Sequence, residues 1–84
     1  MNAARMEIAV YPLGTGDASV SREVSAVLDV LDRSGLSHET NVMGTVVEGP
    51  PEALFSLARE LHAAVFADSV KRVVTVLRID ERRR

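Results

Sequence analysis

The sequence predicts an α+β domain: a four-stranded antiparallel sheet with two helices on one of its faces. Three observations carry this prediction. Four short segments favour extended backbone, two segments carry helical apolar stripes, and they alternate as strand, helix, strand, strand, helix, strand. A chain of 84 residues has room for one core, so residues 1–84 are expected to form a single domain.

From Met6 to Tyr11 the residues alternate, with Met6, Ile8 and Val10 on one face and Glu7, Ala9 and Tyr11 on the other. Pro12 and Gly14 are expected to stop this strand, leaving Leu13 to Ser19 as a loop. Val20, Val24, Val27, Leu28 and Leu31 then recur at helical spacing. Ser19 or Ser21 can cap that helix, and Gly35 stands where a left-handed residue would end it. Ser37–Val42 and Thr45–Glu48, rich in Thr and Val, read as two strands joined at Gly44 by a tight turn or bulge. Pro51 suits the first position of a second helix, with Glu52 at the positive end of its dipole. Leu54, Leu57, Ala58, Leu61 and Val65 form its stripe, which is expected to end near Ala67. Lys71–Ile79, with Val73, Val74, Val76, Leu77 and Ile79, is the strongest strand. Right-handed crossovers then place both helices on the same side of the sheet, the ferredoxin-like arrangement.

Two helices cover one face of such a sheet, and the other should be polar if it meets water. Yet the alternation puts Ala9 and Tyr11 of the first strand, and Val74 and Val76 of the last, on that uncovered side. Burying three such side chains is worth several kcal/mol at roughly 25 cal/mol per Å², enough to drive association of two copies. A homo-oligomer is therefore expected.

Composition narrows the function. Ten Lys and Arg against twelve Asp and Glu leave a net charge of −2, without the basic footprint of a nucleic-acid binder. An RNA platform on this fold also wants aromatics on its central strands, where Tyr11 stands alone. No run of 18 apolar residues is present to span a bilayer, and residues 1–5, which lead straight into a strand-like run, are not expected to serve as a signal peptide. Cysteine is absent, which suits a reducing cytoplasm and removes thiolate metal sites and metal-carrier chemistry. His38 and His62 lie far apart and form no metal-binding pair, so neither a metal nor a cofactor is expected. Asp29 and Asp32 lie opposite the first helix's stripe and read as solvated charges. Catalytic parts are scarce, and an acylphosphatase-like enzyme would need an arginine in the loop after the first strand, where there is none.

Two segments can carry binding chemistry. Leu13-Gly14-Thr15-Gly16 follows a strand and precedes a helix, but it lacks the Lys-Ser/Thr of a phosphate loop and the third glycine of a dinucleotide fingerprint. Its glycines serve a turn, or, with Ser19 and the helix N-terminus, hold a small anion or polar ligand edge. The densest polar cluster is Thr40–Gly49, where Thr40, Asn41, Thr45 and Glu48 offer hydroxyls, an amide and a carboxylate. Such a set reads a heteroaromatic edge, or equally caps a hairpin.

Glu7–Thr15, Thr40–Gly49 and Val70–Thr75, in this order and spacing, resemble the small thiamine-binding protein family. Met43-Gly44-Thr45 followed by Glu48-Gly49 is the most specific part, and Ser69 stands where a glycine often precedes Val-Lys-Arg. The resemblance implies a ferredoxin-like domain assembled as a homotetramer, a dimer of dimers joined through the sheets. It also implies non-catalytic binding of thiamine or its hydroxymethylpyrimidine moiety. The residues it favours are Thr40, Asn41, Thr45 and Glu48, followed by Ser19 and Tyr11, the last as a stacking surface. The rival expectation is a regulatory or protein-interaction module whose oligomer is the working element.

Overall fold

Six elements follow one another in the computed structural model, which describes residues 3–14, 21–41, 44–66 and 70–83, without the side chains of Ser21 and Asn41. They are β1 (Ala4–Leu13), α1 (Ser21–Ser34), β2 (Ser37–Asn41), β3 (Gly44–Gly49), α2 (Pro51–Ala64) and β4 (Arg72–Glu81). The sheet order is β2-β3-β1-β4 and every neighbouring pair is antiparallel. This is the expected ferredoxin-like α+β fold.

β1 does not stop at Pro12. It pairs with β3 only as far as Ile8–Thr45 but continues against β4 through Pro12–Val73 to Leu13–Arg72. Among the described residues, the strand past Ile8 has a neighbour on one side alone, and a proline's missing N–H is tolerated at such an edge. Gly14, at φ +67°, is where the strand finally turns away. α2 is shorter than its stripe suggested. Pro50 precedes it in extended conformation, its carbonyl accepts from the Leu54 N–H at 3.1 Å, and the helix closes at Ala64. α1 ends at Ser34, whose hydroxyl donates to the Leu31 carbonyl at 2.6 Å and accepts from the Leu36 N–H at 3.1 Å. Gly35, at φ +71°, supplies the left-handed step that follows.

Ala4, Met6 and Ile8 of β1 and Val47 of β3 meet Leu54, Leu57, Ala58 and Leu61 of α2 in the core. α2 lies across β1, β3 and β4, and α1 packs against α2. In α1 the buried face is turned from the expected one. Glu23, Val30 and Leu31 are buried and Val27 partly so, whereas Val24 and Leu28 of the predicted stripe are 50% and 41% exposed.

The other face of the sheet carries the apolar strip the alternation predicts. Tyr11 lies opposite Val74 and Ala9 opposite Val76, and Tyr11 and Val76 are half-exposed or more. Further along, the same face is charged, with Glu7 and Arg78 paired at 3.3 Å. Both histidines make structural contacts. His38 Nδ1 meets the Leu36 carbonyl at 2.9 Å, and His62 Nδ1 meets Thr75 Oγ1 at 2.7 Å, tying α2 to β4.

Candidate functional site

Where α1 turns Val24 and Leu28 away from the core, none of the described elements closes over them. The result is a cavity of about 490 Å³ between the first half of α1, the far part of β1, the β2–β3 hairpin and the end of α2. Small-molecule sites run to roughly 300–1,000 Å³, with mostly apolar walls and a few placed polar groups. The walls here fit that description. Ile8 and Val10 come from the sheet, Val24, Val27 and Leu28 from α1, and Leu61 and Val65 from α2.

The polar groups come from two places. Strand register puts Thr40 of β2 directly opposite Thr45 of β3, on the helix-facing side with His38 and Val47. Their hydroxyl oxygens are 3.5 Å apart, and both residues line the cavity. Glu23, from the first turn of α1, lines it as well. Among the described residues the buried polar and charged side chains are Glu23, 9% exposed, and Thr45, 7% exposed. Both border this one cavity.

Gly44 shapes the sheet wall. It pairs with Asn41 at φ +126°, and a β-carbon there would stand 2.8 Å from the Ile8 carbonyl oxygen. Only glycine lets the hairpin approach β1 so closely at the cavity's edge.

The candidates named from the sequence divide. Thr40 and Thr45 come together as a cross-strand pair. Tyr11 borders the cavity, while alternation sets it on the sheet's uncovered face beside Val74. Glu48 alternates with Val47 and lies exposed on that uncovered face, across from Arg5 and Ser37, so the structure does not bring it to the threonines. The backbone of Asn41 closes β2 against Gly44, and its side chain lies outside the described residues, as does Ser19. Sequence reasoning missed Glu23. The signal was its spacing, four and seven residues ahead of Val27 and Val30, which puts a carboxylate on the helix's inward side.

Chemically, the site offers one carboxylate and two hydroxyls in an apolar enclosure. It suits a flat, partly polar molecule better than an extended polyanion. Among the described residues no cluster of His, Asp or Glu is arranged to hold a metal ion, and no helix is long and apolar enough to cross a membrane.

The comparisons with known proteins agree with one another. Over 77 residues the chain is 44% identical to UPF0045 protein MJ1052 of Methanocaldococcus jannaschii, covering 92% of this chain and 75% of that protein. Over 81 residues it is 32% identical to UPF0045 protein YqgV of Bacillus subtilis, covering 92% of this chain and 78% of the relative. The crystal structure of hypothetical protein MJ1052 superposes with a TM-score of 0.85 at 41% identity, over 99% of this chain and 84% of that one. Residues 6–84 match the family model described as thiamine-binding protein, and the chain belongs to that family.

Proposed function

We propose that this protein binds thiamine or its hydroxymethylpyrimidine moiety without transforming it, and that the ligand enters the cavity beside α1. Family membership supplies the ligand class. The single observation that carries the placement is that the buried polar side chains Glu23 and Thr45 both border the same apolar enclosure. A few buried polar groups set in apolar walls are what a small-molecule site uses to orient its ligand. The paired hydroxyls of Thr40 and Thr45 donate and accept at once, matching an aminopyrimidine edge. The surrounding aliphatic walls exclude water from the ring faces. No cofactor enters this reading, and the cytoplasm is the compartment it implies, where a chain without cysteine loses nothing to reduction.

Isothermal titration with thiamine and with hydroxymethylpyrimidine tests the proposal. Saturable heat with one or both supports it. Absence of heat and of any thermal shift at millimolar ligand contradicts it.

A second reading rests on the uncovered sheet face. Tyr11, Val74 and Val76 form an exposed cross-strand strip, and its burial against another copy supports a homo-oligomer, a dimer of dimers in its fullest form. Sedimentation at micromolar concentration decides this. A stable assembly that Val76→Asp dissociates supports it, and a wild-type monomer overturns it.

A further inference from the structure

We infer that the cavity selects its ligand by positive charge, with the Glu23 carboxylate as the counter-ion. This rests on the proposed reading of the cavity as the ligand site, and it states which of the two candidate ligands that site prefers. Among the described residues lining the cavity, Glu23 is the one that carries a formal charge. It is 9% exposed, and none of the described residues forms an ion pair with it.

A carboxylate held among aliphatic side chains is poorly solvated. Its position in the first turn of α1, at the positive end of the helix dipole, offsets part of that cost. A cation placed in the same enclosure recovers much of the rest, because opposite charges attract more strongly where water is excluded. A neutral ring gains no such term. The cavity's polar groups also come from different elements. The threonine pair belongs to the sheet and Glu23 to the opposing helix. A ligand with an aminopyrimidine edge at one end and a cationic ring at the other meets both, and thiamine has that form. Hydroxymethylpyrimidine has the edge alone.

Charge is isolated from shape by comparing thiamine with deazathiamine, in which an uncharged thiophene replaces the thiazolium. Titrations of the wild type and of Glu23→Gln with thiamine, deazathiamine and hydroxymethylpyrimidine form the test. The wild type is expected to bind thiamine at least about tenfold more tightly than deazathiamine. Glu23→Gln is expected to erase that preference, weakening thiamine at least about fivefold more than it weakens either neutral ligand. Equal wild-type affinity for thiamine and deazathiamine overturns charge selection and leaves the binding reading standing, and this arm needs no variant to fold. A uniform loss across all three ligands in Glu23→Gln also overturns it, since it marks a structural role for the side chain. Binding of none of them by the wild type overturns both readings together.

Discussion

The two helices have the same length, 14 residues, and each carries an apolar stripe, yet they end in different surroundings. α2 buries Leu54, Leu57, Ala58 and Leu61 along its whole inner face. α1 buries Val30 and Leu31 near its end, while Val24 and Leu28 stay half open to the cavity. An apolar stripe thus records which side of a helix avoids water, not whether another element closes over it. Where closure is complete the stripe becomes core. Where it stops short, the same residue types become the wall of a binding site.

Substitution on the two stripes should break the symmetry most visibly. Leu54→Ala, at a fully buried position, is expected to cost about 2–5 kcal/mol in urea denaturation, whereas Leu28→Ala in α1 should cost less than about 1 kcal/mol. Equal costs would mean that α1 is packed as tightly as α2. The next effect concerns the sheet wall of the cavity. Gly44→Ala forces a β-carbon toward the Ile8 carbonyl at φ +126°, and a loss of about 1–3 kcal/mol is expected. Gly14→Ala meets no atom within 4 Å and pays only the left-handed penalty of about 1–2 kcal/mol. A Gly44→Ala protein as stable as Gly14→Ala would show that the hairpin can move away from β1.

Filling the open half of α1 sharpens the contrast from the functional side. Leu28→Trp places a large ring at a position 41% exposed. Its melting should stay within about 1 kcal/mol of wild type while thiamine affinity falls at least about tenfold. Undiminished affinity would place the ligand elsewhere. The smallest effect is at the other end of α2. Thr75→Val removes the hydroxyl bonded to His62 and should cost about 1 kcal/mol, seen in the same denaturation experiment.

Much of this was legible in the sequence because strands have a two-residue period. Alternation alone placed Tyr11 and Ala9 with Val74 and Val76, and the register pairs those residues across β1 and β4. The element order and the left-handed Gly35 followed from stripes and punctuation in the same way. Helical faces were harder to read. Val24 and Leu28 satisfied the 3.6-residue pattern as well as Val27 and Val30 did, and one residue of difference turns a helix by about 100°. Glu23 was hidden by that rotation. The hairpin faces stayed open because Gly44 could have shifted one strand past the other by a residue, and only the Thr40–Thr45 pairing settles that Glu48 faces away. Pro12 misled for a different reason. Its meaning depends on whether a strand has one neighbour or two, which is a property of the assembled sheet.

The cavity beside α1 as the ligand site is open to one direct measurement, a thiamine titration followed by the backbone amide signals of the labelled protein. Binding there shifts Glu23, Val24, Thr40 and Thr45 together and leaves Glu48, Val74 and Val76 near their starting positions. Shifts concentrated on Glu48, Val74 and Val76, with Glu23 and Thr45 unmoved, would put the ligand on the uncovered face and contradict the assignment.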